Sequence, residues 1–273
     1  MSPPLLIAQD LDVALGGRVL VQGLSCQLAA GETLAILGRN GVGKSTLLHT
    51  LAGLRLPTAG RLALCGLPYA EHPPRAAARL RGLLTQSQVD AFPATVLETA
   101  LIGRHPHLGR WAWEDANDAR IARAALAATG LAELEQRAVH TLSGGERQRL
   151  AFATLLTQQP QLYLLDEPLA HLDLSHQVAV LEQCAARARA EGAGFIIVLH
   201  DPNLALRYCT RALLLHGDGR WHEGPVDSTL TAARLSALYD HPLRELNEAD
   251  GSRHFVNAAP LPSPISPLRE PGP

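Results

Sequence analysis

Lysine is almost missing from this chain: of 24 basic residues in 273, 23 are arginine and one, Lys44, is lysine. Where arginine serves everywhere else, a lysine kept inside a glycine-rich segment points to a need for a compact ammonium. Excess charge is missing too, since 26 acidic residues leave a net charge of -2. A protein that binds nucleic acid through bulk electrostatics, displacing counterions from phosphates, needs a positive surplus, so the balance argues against that class. No apolar run approaches the ~18 residues that span a bilayer. The start, MSPPLLIAQDLD, has no basic leader before an apolar stretch, so no signal peptide is expected and the expected location is cytoplasmic. The four cysteines (Cys26, Cys65, Cys184, Cys209) have no paired spacing, which predicts reduced, buried thiols and no metal knuckle. What remains is a globular composition, 47% hydrophobic and 18% charged, long enough for one large domain or two small ones.

Three short apolar runs without alternation, TLAIL at 33–37, LYLL at 162–165 and FIIVL at 195–199, read as strands covered on both faces. Each precedes a turn and a helical pattern, the grammar of an α/β domain with a mostly parallel sheet. Residues 1–30 and about 61–67 carry shorter, turn-punctuated strands and predict a small antiparallel sheet. Between 96 and 159 the pattern is alanine-rich and helical, read as an insertion between sheet strands. Its clearest helix runs from Asp118 to Thr129, with Gly130 as the C-terminal cap. From Pro260 onward six of fourteen residues are proline, and a disordered tail is expected there. There is no internal repeat.

GRNGVGKS at 38–45 fits the phosphate-loop pattern GxxxxGK[ST], with an apolar strand before it and a helix after it. Its glycines let successive backbone N–H groups turn inward around a phosphate, and the helix adds its positive end. Lys44 reaches the β- and γ-phosphates, and the Ser45 hydroxyl can ligate Mg²⁺. Asp166 and Glu167 end the second buried strand, where ligands bind in parallel sheets. Asp166 would hold Mg²⁺ and Glu167 would polarise the attacking water; taken alone the pair could equally be a plain helix start before Pro168, but beside a phosphate loop the functional reading is the one expected. At 142–148, LSGGERQ opens a helix in which Ser143 and Glu146 form a capping box. Two glycines at that helix end also bare an anion site.

These segments, in this order and spacing, resemble the ATP-binding cassette of an ABC transporter over about residues 5–258. LSGGQ-like sequences distinguish that family among phosphate-loop proteins, and a kinase or GTPase has no use for one. The resemblance implies a phosphate-loop ATPase core in one domain over 1–258. It has a small antiparallel β subdomain and a helical subdomain inserted at about 90–158; a tail follows at 259–273. It also implies that Gly38, Asn40, Gly41, Gly43, Lys44, Ser45 and Thr46 cradle ATP. Ser143, Gly144, Gly145 and the D-loop Asp173 would belong to the nucleotide site of a second copy. Glu167, His200, Gln86 and Lys44 would carry hydrolysis, with Ser45, Gln86 and Asp166 around Mg²⁺. Two positions depart from the family. Leu15, 23 residues before Gly38, stands where an aromatic side chain usually stacks on adenine. Ala170 replaces the serine that usually opens the D-loop.

The resemblance further implies a head-to-tail homodimer, separate transmembrane permease subunits, and a peripheral place on the cytoplasmic face of the plasma membrane. The AFPATVLE run at 91–98, GRHPH at 103–107 and DLSHQ at 173–177 are similar to cassettes serving ferric siderophores, vitamin B12 or haem. Such importers take their cargo from a periplasmic or surface substrate-binding protein. His105 and His107, two histidines around a proline with no third ligand, read as surface facing the membrane subunit rather than as a metal site. A soluble ABC ATPase uncoupled from transport is the alternative. Those acting on DNA or ribosomes usually carry a coiled-coil insertion or a second cassette, and this chain has neither.

Overall fold

The computed structural model describes residues 3–86, 93–109, 111–249 and 251–258; the proline-rich segment 259–273 and the first two residues of the 91–98 run lie outside them. The chain opens with a hairpin, β1 (Leu6–Leu15) and β2 (Arg18–Leu28). Gly16 and Gly17 turn it with φ of +58° and +80°, the pair of positive values a two-residue hairpin turn demands. Then come β3 (Thr33–Leu37), α1 (Lys44–Leu51), β4 (Ala59–Leu64), β5 (Leu67–Pro68), α2 (Pro74–Leu80) and β6 (Arg81–Leu84). Helices α3 (Val96–Leu101), α4 (Ala116–Ala128) and α5 (Gly144–Gln158) separate β6 from β7 (Leu162–Leu165). The core continues through α6 (Leu174–Glu191), β8 (Gly194–Val198), α7 (Pro202–Tyr208), β9 (Arg211–Leu215) and β10 (Trp221–Pro225). Two short helices, α8 (Val226–Thr229) and α9 (Ala232–Tyr239), and a hairpin, β11 (Leu243–Asn247) and β12 (Arg253–Asn257), follow.

The main sheet has the order β10-β9-β3-β8-β7-β6, parallel except for the edge pair of β9 and β10. The second sheet, β2-β1-β4-β5, is antiparallel. Every residue of β3, β7 and β8 is buried, which is why these strands read as unbroken apolar runs. Alternate side chains still separate by face. Leu34, Ile36, Leu164, Ile196 and Val198 pack with α1 and the antiparallel sheet; Ala35, Leu37, Tyr163, Phe195 and Ile197 pack with α5 and α6. Tyr163 and Phe195 stack across neighbouring strands at 4.6 Å.

Three strands of the main sheet, β6, β9 and β10, had no sequence expectation. β6 is four residues long and starts directly after α2; β9 follows α7 with two residues between. The clearest predicted helix begins two residues earlier than expected, because Asp115 rather than a later residue caps it: its side chain accepts from the Asp118 N–H at 2.9 Å. Gly130 does follow its last turn, at φ +68°. Of the four thiols only Cys184 and Cys209 are buried; Cys26, on β2, and Cys65, in the turn after β4, are partly exposed.

The helical segment is braced internally by a buried ion pair. Arg104 Nε donates to Asp118 Oδ1 at 2.8 Å, while Nη1 donates to the Thr157 carbonyl and to Gln159 Oε1 at 3.1 and 3.2 Å. Both residues are 7% exposed. The Arg104 hydrogen bond holds the Asp118 carboxyl below the ordinary carboxylate range. A depressed folded-state pKa contributes stability above the unfolded value and loses it as pH falls through the folded one. Arg104→Met strands Asp118 as a buried, unpaired charge. The expected cost is about 3 kcal/mol at neutral pH, read as a lower urea midpoint at unchanged slope, and smaller in acid. An unchanged midpoint would show that water satisfies Asp118 as well as Arg104 does.

Candidate nucleotide site

The phosphate loop joins β3 to α1, so its backbone ends at a helix start beside the C-terminal edge of the parallel sheet. Gly43 holds φ +104°, and a Cβ there would meet Leu20 Cδ1 at 2.7 Å. At Gly38 a Cβ would lie 2.7 Å from the Leu215 carbonyl oxygen. Both glycines are therefore fixed by close approach. Lys44 is 5% exposed, and its Nζ donates to the Gly38 and Arg39 carbonyls at 2.9 and 3.1 Å. Burial pushes the Lys44 pKa down from its ordinary value, and the Glu167 and Asp166 carboxylates act against that shift.

Ser45 Oγ donates to Asp166 Oδ1 at 3.0 Å, so the first helical turn and the end of β7 share one contact 121 residues apart in sequence. Burial raises the Asp166 carboxyl above its ordinary range; the Ser45 hydrogen bond opposes the rise and neighbouring Glu167 adds to it. Glu167 sits in the left-handed region at φ +49°, an unfavourable backbone state for a side-chain-bearing residue. Its two oxygens face two different partners. Gln86 Nε2 donates to Oε2 at 3.0 Å, and His200 Nε2 lies 2.9 Å from Oε1. Tyr239 from α9 donates its hydroxyl to the His200 carbonyl at 3.2 Å, steadying the residue from behind.

Around these groups lies a cleft of about 530 Å³. Asn40, Gly41, Gly43, Lys44, Ser45 and Thr46 line it, Gln86, Glu167 and His200 close one side, and Leu15, Arg18 and Leu20 of the β1–β2 hairpin form the other. Backbone N–H groups and one ammonium on one wall, and a carboxylate held between a glutamine and a histidine on the other, can bind a polyphosphate and activate water beside it. Sequence reasoning did not single out Arg18, Leu20 or Tyr239, and no local signal marks them. They reach the site by chain crossings that only the fold reveals.

Not every expected residue comes here. Ser143, Gly144, Gly145 and Asp173 do not line the cleft. Ser143 caps α5: its Oγ accepts from the Glu146 N–H at 3.3 Å and its own N–H donates to Glu146 Oε2 at 2.7 Å. A Cβ on Gly145 would stand 3.0 Å from the His171 carbonyl oxygen, so the glycine lets the chain after Glu167 approach α5. Asp173 caps α6, and its hydrogen bonds from His176, first the backbone N–H, lower its pKa to about 2. Gln148 Nε2 donates to the Pro168 carbonyl at 3.1 Å, a further tie from α5 to the loop beyond Glu167. His107 Nε2 lies 2.8 Å from the Gln158 carbonyl, and among the described residues no group of three candidate ligands surrounds a metal position.

Residues 21–170 match the family model described as ABC transporter. A hemin import ATP-binding protein of Nocardia farcinica is 42% identical over 248 residues, covering 91% of this chain and 83% of that one. A cobalamin import ATP-binding protein of Halobacterium salinarum is 36% identical over 257 residues, covering 94% of this chain and 63% of its own length. Among solved structures, a chain from an inward-facing metal-chelate type ABC transporter superposes with a TM-score of 0.82 at 29% identity, covering 94% of this chain and 98% of that one. With a phosphate loop facing an acidic strand end across one cleft, and relatives along nearly its whole length, the chain belongs to the ABC transporter family as an ATP-hydrolysing cassette.

Proposed function

We propose that this cassette drives an importer for a metal chelate or tetrapyrrole: haem, cobalamin or a ferric siderophore. The observation that carries this reading is the near full-length similarity to hemin and cobalamin import ATP-binding proteins. In this reading Gly38 to Thr46 hold the triphosphate, Lys44 neutralises its terminal charge, Glu167 takes the proton of the attacking water, and His200 and Gln86 fix that carboxylate. Mg²⁺ suits the donor set, because Ser45 and Asp166 offer hard oxygens 3.0 Å apart. The nearby His49 Nε2, one turn beyond Ser45, is buried with no hydrogen-bond partner among the described residues, as suits a nitrogen that would meet a metal-bound water. Ser45, Asp166 and the Gln86 amide oxygen would hold the ion, whose charge would stabilise the negative charge of the phosphate.

Because Ser143, Gly144 and Gly145 stand outside the cleft of their own chain, their bared helix end is free to cap the phosphates of a second, head-to-tail copy. Dimer closure on ATP would then move permease subunits, since no helix among the described residues is long and apolar enough to cross a membrane. A peripheral position on the cytoplasmic face, and cargo delivered to the permease by a separate binding protein, complete the proposal.

Two measurements test it. Ser143→Arg and Lys44→Met variants should each be inactive alone, yet single-turnover hydrolysis should reappear when they are mixed, because the mixed dimer keeps one intact site. Failure to reappear would place both half-sites in one chain. Reconstituted with its permease subunits, the cassette should support ATP-dependent uptake of haem, cobalamin or a ferric siderophore into vesicles. Hydrolysis with uptake of none of them would overturn the cargo class.

A further inference from the structure

We propose that the Arg18 guanidinium provides the flat face on which the nucleobase packs, with Leu15 beside it as an apolar flank. The inference rests on the reading of the cleft as a nucleotide site and concerns the end of it remote from Glu167. With the polyphosphate on the loop at 38–45, the nucleoside extends toward the β1–β2 hairpin, which contributes Leu15, Arg18 and Leu20. No phenylalanine, tyrosine or tryptophan is among the described lining residues. Besides the Glu167 carboxylate, which Gln86 and His200 hold, four lining side chains have flat polar groups. Gln86 and His200 are both committed to Glu167, and Asn40 belongs to the phosphate loop itself. Arg18 remains.

Its geometry suits stacking. Nε and Nη2 both donate to the Gly217 carbonyl, at 3.2 and 2.7 Å, and Nη1 reaches the Gly41 carbonyl at 3.5 Å. These bonds use the edge of the guanidinium and fix its plane, so little rotamer freedom is lost when a ring settles on a face. The receiving loop is shaped for this contact. Gly217 has φ +80°, and a Cβ there would fall 2.9 Å from Val42 and 3.1 Å from Arg18 Nη2. Leu15 pairs directly with Arg18 across the hairpin and is 49% exposed, leaving its methyl groups open to a ring. A stacked cation attracts every purine face, so ATP and GTP are expected to bind with similar affinity.

Titration of the purified full chain with ATP, GTP and inorganic tripolyphosphate tests the assignment. Arg18→Ala should weaken ATP and GTP about tenfold while leaving tripolyphosphate almost unchanged, which also shows the fold intact. Arg18→Lys keeps the charge without the plane and should be as weak as the alanine variant. Leu15→Tyr added to Arg18→Ala should restore ATP affinity. Equal loss for tripolyphosphate would make Arg18 a phosphate ligand or a prop for the loop, and no loss for any ligand would remove it from the site; either overturns the proposal. If wild-type protein bound neither ATP nor tripolyphosphate, the nucleotide reading itself would fail, a result distinct from both.

Discussion

Replacing Glu167 with glutamine is expected to slow ATP hydrolysis by on the order of 10²–10⁴-fold while leaving nucleotide binding intact. The substitution keeps shape and length, so the left-handed backbone at this position and the packing behind it are undisturbed. Glutamine still accepts the Gln86 amide through its oxygen and can turn its NH₂ toward His200. It lacks only the capacity to take a proton from water. With two fixed partners holding the group in one orientation, the loss falls on the chemical step rather than on affinity. Phosphate release measures the rate, and gel filtration with ATP and Mg²⁺ reports whether the variant accumulates as a closed dimer. Hydrolysis at the wild-type rate would move the base elsewhere, and His200, 2.9 Å from the same carboxylate, is then the next group to remove.

The parts of this site that were legible in the sequence are those whose physics is local. A glycine-rich turn before a helix, an acidic pair after an apolar strand, and a serine three residues before a glutamate each specify their own geometry within eight residues. Even so, two readings of one segment can both hold. Asp173 caps a helix, and whatever it offers a second copy comes on top of that. Contacts between distant segments outside these motifs left no trace. Arg18 and Gly217 are 199 residues apart, and nothing near either residue marks the other. The same holds for the Arg104 and Asp118 pair, where an arginine in a polar-looking GRHPH stretch turns inward. β6 escaped notice because four residues carry too little periodicity to separate a strand from the end of the preceding helix.

Lys44→Met is expected to reduce kcat on the order of 10²–10³-fold, the loss typical when one preorganised positive donor to a developing anion is removed. Methionine fills nearly the same volume, so packing is preserved and the change is electrostatic. Two consequences follow from the position of the ammonium. The Gly38 and Arg39 carbonyls lose their donor, and the phosphate loop must hold its curvature on backbone contacts alone. The neighbouring Glu167 and Asp166 carboxylates, which raise the Lys44 pKa against the lowering by burial, lose the cation that offsets their own repulsion of phosphate. ATP affinity should therefore fall along with turnover. Arginine should not rescue either, because a longer planar group cannot occupy a pocket in which the side chain is 5% exposed. Because this lysine is unique in the chain, the same site can be read without mutation. An amine-acylating reagent has only Nζ of Lys44 and the N-terminus to modify, and bound ATP should protect the first while sparing the second none of its reactivity. Acylation of Lys44 at one rate with and without ATP, together with normal turnover in Lys44→Met, would separate the ammonium from the phosphates and leave the loop's backbone N–H groups as the anion site.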